Sequence, residues 1–156
     1  MDEQEYRKVF DKALNILTRR QHCREELRRK LFQKKFSSSL ISSVLAELER
    51  LNLVNDETFA LDYMNELKTK GYGPYKIKKS LSNKGLSQEL IKNVIGDANN
   101  PEEELEFARE AMNKKLRSLK NEKDPLKKRG KLFRFLAARG FSGQIISILL
   151  KTSEFY

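Results

Sequence analysis

Cysteine, histidine and long apolar runs are the scarce features of this chain, and each scarcity removes a class of function. Cys23 is the only cysteine and His22 the only histidine among 156 residues. One thiol cannot close an intrachain disulfide, which suits a reducing cytosol. The two residues are adjacent, with no second ligand at metal-binding spacing, so no metal site is expected. There is no phosphate-binding Gly loop and no nucleophile elbow, and any Ser/His/acid triad would have to use His22. Carboxylate groups such as Glu25-Glu26 and Glu102-Glu103-Glu104 suit first helical turns better than acid–base pairs. No apolar run approaches the roughly 18 residues of a membrane span. The opening Met1-Asp2-Glu3-Gln4-Glu5 has no apolar signal core, so export is not expected. The expectation is a cytoplasmic, monomeric, non-enzymatic chain with no cofactor, metal or membrane.

Charge, by contrast, is plentiful. Charged residues make up 35% of the chain, and Lys plus Arg outnumber Asp plus Glu by 32 to 22, a formal charge of +10. That balance points to a polyanionic or acidic partner. So much charge would suit a disordered chain, but 38% of residues are hydrophobic and they are strictly patterned.

The pattern is a threefold repeat. Residues 23–45 superpose in sequence on themselves after shifts of 50 and of 105. Leu27, Leu31, Phe36, Leu40, Ile41 and Val44 become Ile77, Leu81, Leu86, Leu90, Ile91 and Val94, then Leu132, Leu136, Phe141, Ile145, Ile146 and Leu149. Ser37, Ser87 and Ser142 follow the Phe/Leu/Phe position each time. Repeats of this period stack into arrays that present a long surface to a partner. All strong segments have the helical period. The fold class expected is all-α: three tandem three-helix repeats, 1–54, 55–99 and 100–156, forming an elongated curved array.

Local signals place the joints. Asp56 is the candidate N-cap of the first helix of repeat 2, and Pro74 suits a first helical turn. Gly85 and Gly140 occupy left-handed C-cap positions, with Lys35 in that place in repeat 1. Repeat 3 opens with a long helix from about Glu102 to Leu119. Seven extra residues around Ser118–Lys128, including Asn121, Asp124 and Pro125, predict a loop.

Asn55-Asp56-Glu57-Thr58-Phe59-Ala60, Gly71-Tyr72-Gly73, Lys84-Gly85 and Ile91 resemble the central motif of the RecX family, bacterial regulators of the RecA recombinase. Ala13-Leu14, Arg19-Arg20 and Arg24-Glu25-Glu26-Leu27 resemble its first repeat, and Phe135-Leu136-Ala137-Ala138-Arg139-Gly140-Phe141 its last. Asn55-Asp56 stands where the family often has two acids, and His22-Cys23 where it often has Arg-Ser. The resemblance covers about residues 9–150. It implies a protein that binds RecA filaments on DNA along the helical groove and inhibits ATP hydrolysis and strand exchange, without catalysis of its own.

Two columns of the repeat are always basic: Arg29, Lys79 and Arg134, and Lys34, Lys84 and Arg139. On a helical wheel the first column lies about 200° from the core position, pointing to solvent. The second lies close to the core position in the last turn, where a cation favours the helix dipole. Net charge is +4, +1 and +5 for the three repeats, and no acid occurs between Asp124 and Glu154. Lys127, Lys128, Arg129, Lys131 and Arg134 are therefore the foremost candidates for phosphate contact. Arg24, Arg28 and Arg29, tempered by Glu25 and Glu26, form a second cluster, and Lys79 joins from repeat 2. The phenylalanines, Phe32 and Phe133 among them, fall on or beside core positions. Tyr72 and Tyr75 sit at a turn where they can stack on a base or a partner. The expected binding is to single-stranded DNA, and secondarily to double-stranded DNA, weak and sequence-blind, alongside the RecA filament. The alternative is a sequence-non-specific DNA-binding repeat protein acting without RecA.

Overall fold

The computed structural model describes residues 2–98 and 100–152. Among them the regular elements are α1 (Glu3–Arg19), α2 (Arg24–Gln33), α3 (Ser38–Arg50), α4 (Asp56–Thr69), α5 (Pro74–Asn83), α6 (Gln88–Ala98), α7 (Pro101–Ser118), α8 (Pro125–Ala138) and α9 (Gly143–Thr152). No strand occurs among the described residues. The helices pack in threes: α1 with α2 and α3, α4 with α5 and α6, α7 with α8 and α9. Each unit closes its own apolar cluster, built on Leu27, Leu31 and Ile41, on Ile77, Leu81 and Ile91, and on Leu132, Leu136 and Ile146. Burying each such side chain contributes about 1.5–3 kcal/mol. The accessible surface, 10197 Å², exceeds the roughly 8,100 Å² of a compact monomer of 18.3 kDa. Three small cores in a row produce that excess.

The recurring serines start the third helices. Ser37, Ser87 and Ser142 hydroxyls accept from the backbone N–H of Leu40, Leu90 and Ile145 at 3.4, 3.1 and 3.4 Å. Ile41, Ile91 and Ile146 follow immediately and are buried.

The units meet through their second helices. At the first junction the start of α2 sits on the end of α5. The Cys23 thiol donates to the Lys84 carbonyl at 3.3 Å and the Arg29 guanidinium to the Asn83 carbonyl at 3.0 Å. At the second, the start of α5 sits on the end of α8. The Gly73 and Tyr75 N–H groups donate to the carbonyls of Arg139 and Gly140 at 2.7 and 3.0 Å. Carbonyls that a helix end leaves unpaired thus receive donors from the preceding unit. The macrodipoles of α8, α5 and α2 consequently follow one another head to tail.

This approach requires glycine. Gly85 and Gly140 have φ of +87° and +92°. A Cβ on Gly140 would collide with the backbone of Lys76, and one on Gly85 with the side chain of Glu25. Lys35, at φ 66°, takes the equivalent place in the first unit, where no unit docks among the described residues.

Two local expectations need correction. Asn55, not Asp56, caps α4, accepting from Thr58 N–H at 3.1 Å. The Asp56 carboxylate instead accepts the Arg24 N–H across the first junction at 2.8 Å. The extra residues of the third unit do not form a loop throughout. Asp124 accepts from Leu126 N–H at 3.0 Å and Pro125 occupies the first helical position, so an Asp-Pro start signal extends α8 over Lys127 and Lys128.

Candidate nucleic-acid and partner interface

The two basic columns behave differently in three dimensions. Lys84 and Arg139 are junction clamps. Lys84 Nζ lies 3.0 Å from Glu26 Oε2, which also receives Arg20 Nη2 at 2.7 Å, and Lys84 stands 5.2 Å from the Tyr63 ring centroid. Burial alone would raise the Glu26 pKa, but hydrogen bonds and charge from Arg20 and Lys84 outweigh it and hold the carboxyl down at about 2. Arg139 donates to the Lys70 carbonyl at 3.2 Å. Its guanidinium lies 4.9 Å from the Tyr72 ring and 5.1 Å from that of Phe135. A cation over an aromatic face adds electrostatic attraction to the packing. Tyr72 is covered by Arg139 for this reason, whereas Tyr75 stays exposed.

The outward column divides. Arg29 does not project freely; it reaches across the first junction to Asn83 and shares Glu25 at 3.3 Å. Lys79 on α5 and Arg134 on α8 are exposed and make no ion pair among the described residues.

The first-unit cluster is largely neutralised. Arg28 grips Glu25 through two bonds of 2.8 and 2.7 Å, and these bonds hold the Glu25 carboxyl below its ordinary pKa. Arg24 pairs with Glu49 at 2.6 Å. A guanidinium already held by a carboxylate has less to offer a phosphate.

The third-unit cluster is more open. Lys127 is exposed in the first turn of α8, with Lys128 beside it. Arg129 donates to the Leu150 carbonyl at 3.0 Å, closing the end of α9. Lys131 pairs with Glu122 at 2.7 Å. Lys127 and Arg134 stand seven residues apart and so share one face of α8. Beside them run Leu126 and Phe133, 80% and 47% exposed. The core assignment of Phe133, and of Phe32 at 57% exposure, is corrected: these rings lie on the solvent side of helices whose cores are Leu132 and Leu31. The ridge Leu126–Lys127–Phe133–Arg134 combines exposed cations outside the ion pairs of the described residues with apolar area, which suits a composite partner.

Reactive side chains are occupied structurally. Burial pushes the Cys23 thiol up to about 11, far from a thiolate nucleophile. His22 is buried and its pKa is lowered chiefly by desolvation. Its Nδ1 donates to the Arg20 carbonyl at 2.9 Å and its Nε2 accepts from Lys30 Nζ at 2.7 Å, the pattern of a neutral imidazole. No group of three His, Cys, Asp or Glu able to hold a metal ion occurs among the described residues. None of the helices in them is long and apolar enough to cross a membrane.

Comparison with known proteins agrees in all three units. The family descriptions RecX first, second and third three-helix domain match residues 10–48, 55–95 and 102–150. The chain is 35% identical over 147 residues to the regulatory protein RecX of Chlorobium phaeobacteroides, spanning 94% of this chain and 93% of that one. It is 38% identical over 152 residues to that of Chlorobaculum tepidum, spanning 97% and 91%. Among solved structures, RecX from Lactobacillus salivarius superposes with a TM-score of 0.82 at 25% identity, over 95% of this chain and 96% of that one.

Proposed function

The chain belongs to the RecX family, and from that premise we propose that it regulates the RecA recombinase by binding along RecA–DNA filaments. It acts as a non-catalytic cytoplasmic monomer. By occupying the filament it suppresses ATP hydrolysis and strand exchange. The repeats 1–54, 55–99 and 100–156 serve as successive contact modules.

The observation that carries the reading is the α8 ridge. Lys127 and Arg134 are exposed and make no ion pair among the described residues, beside exposed Leu126 and Phe133. Cations that release counterions suit phosphates, and apolar side chains suit a protein surface. A nucleoprotein filament offers both within one groove. Direct base reading is disfavoured: the third helices, which would enter a groove, carry one cation each, Arg50 on α3 and Lys151 on α9 in last turns and Lys92 on α6.

The test is co-sedimentation with preassembled RecA–single-stranded-DNA filaments and, separately, with bare single strands. Wild type should bind filaments at concentrations where bare DNA stays largely free, and Lys127→Glu with Arg134→Glu should abolish the preference. Equal binding to both, unaffected by the double variant, would favour a DNA-binding protein acting without RecA.

A further inference from the structure

Each unit has a cleft between its first and second helices, and the three clefts differ in what they hold. In the second unit, Arg20 and Gln21 of the preceding unit enter it beside Asp62 and Glu66, leaving about 330 Å³. In the third, Lys70 and Gly71 enter beside Glu110, leaving about 80 Å³. Arg20-Gln21 and Lys70-Gly71 are the same positions of the repeat. A turn carrying a cation thus enters a cleft whose wall bears at least one carboxylate, twice.

Among the described residues no turn enters the first unit's cleft, which is open, about 590 Å³. It differs in lacking any acid among its described lining residues. Lys12 stands where the other units have Asp62 and Glu110. Lys12, Arg19, Arg20, Lys30 and Lys34 line it, and no carboxylate among the described residues does. Arg20 is neutralised by Glu26. Lys30 is held by the buried imidazole of His22, a neutral acceptor that fixes the ammonium without cancelling its charge. Lys12, Arg19 and Lys34 make no ion pair among the described residues. Four uncompensated cations around one opening raise the local potential and focus it into the cleft.

We infer that this cleft is a phosphate-binding site, taking adjacent phosphates of a single-stranded nucleic acid or of a free oligophosphate. Docking of a polypeptide turn, as in the other units, is opposed by Lys35: its Cβ stands where Gly85 and Gly140 admit the neighbour. A second copy joining head to tail is opposed on the same ground. Ile16 is the one aliphatic side chain in the lining, too little apolar area to anchor a peptide, whereas phosphate needs only the cations. The site is separate from the α8 ridge and its test contains no RecA, so it stands or falls independently of the filament reading.

The experiment is fluorescence anisotropy of the full chain with a fluorescein-labelled oligothymidylate across a salt series, with inorganic tripolyphosphate as competitor. The triple variant Lys12→Gln, Arg19→Gln, Lys34→Gln removes three cations that hold nothing else. Three lost phosphate contacts on a single strand make the log–log salt slope about 2 shallower, so between 50 and 200 mM salt wild type should lose about twentyfold more affinity than the variant. Tripolyphosphate should displace the oligonucleotide from wild type, and Lys12→Asp alone, which restores the acid of the other units, should weaken both ligands. Tripolyphosphate binding abolished by the triple variant, with oligonucleotide binding unchanged, would assign the cleft to free oligophosphate. Unchanged binding of both ligands in the triple variant would overturn the inference. So would an oligoglutamate peptide that binds wild type through these residues when neither phosphate ligand does.

Discussion

Gly140→Ala should cost far more stability than Gly71→Ala, although both residues have nearly the same backbone angle. Their φ values are +92° and +90°. A left-handed alanine costs about 1–2 kcal/mol, partly offset by a less flexible unfolded chain, worth about 0.4–1 kcal/mol. At Gly71 a Cβ meets nothing within 4 Å, so a net loss of about 1 kcal/mol is expected there. At Gly140 the Cβ would press on the backbone of Lys76 and must drive α5 away from α8. That separation breaks the bonds from Gly73 and Tyr75 to the Arg139 and Gly140 carbonyls. Each contributes about 0.5–1.5 kcal/mol, bringing the expected total to about 3 kcal/mol. At about 2–4 °C per kcal/mol for a chain of this length, the melting temperature should fall by about 6–12 °C, against about 2–4 °C for Gly71→Ala. Thermal and urea melts measure the difference, and hydrogen exchange at the Tyr75 amide locates it. Equal losses in the two variants, with Tyr75 still protected in Gly140→Ala, would show that close helix-end contact does not hold the units together.

Three further outcomes follow from the same geometry. Glu26→Gln should cost about 2 kcal/mol, the scale of hydrogen bonds to a charged group. The folded Glu26 pKa of about 2 lies below its ordinary 4.5, so the clamp's contribution is complete above about pH 4.5 and is lost as pH falls toward 2. Urea melts across that window should show a shallower acid loss in Glu26→Gln than in wild type. Cys23 should resist iodoacetamide near neutral pH, because its thiol is buried and its pKa is near 11; labelling at the rate of a free thiol would mean that the first junction is open. Lys127→Glu with Arg134→Glu should change stability by no more than about 0.5 kcal/mol, as exposed substitutions usually do, and a larger drop in a melt would show these residues to be structural.

Much of the architecture was legible because one pattern is written three times. The core positions Leu27, Ile77 and Leu132, the serine caps and the glycine C-caps follow from local periodicity and turn chemistry. The junctions did not, because they depend on which helix end meets which. Arg29, Lys79 and Arg134 are equivalent in sequence, yet only Arg29 has a carbonyl of a following unit within reach. Lys84 and Arg139 looked like dipole partners of their own helices and prove to tie neighbouring units. The α8 extension was signalled by Asp124-Pro125, but insertion relative to the other repeats favoured a loop reading. The difference of the first cleft is present in sequence as Lys12 against Asp62 and Glu110. Its meaning emerges only once the other two clefts are seen to hold the preceding turn.

The most direct measurement of the central claim is the rate of RecA ATP hydrolysis on single-stranded DNA as this protein is added. Wild type should suppress hydrolysis at concentrations that leave bare DNA mostly unbound, and Lys127→Glu with Arg134→Glu should suppress it little at the same concentrations. An undiminished rate with wild type saturating the filament, or equal suppression by the double variant, would contradict the claim.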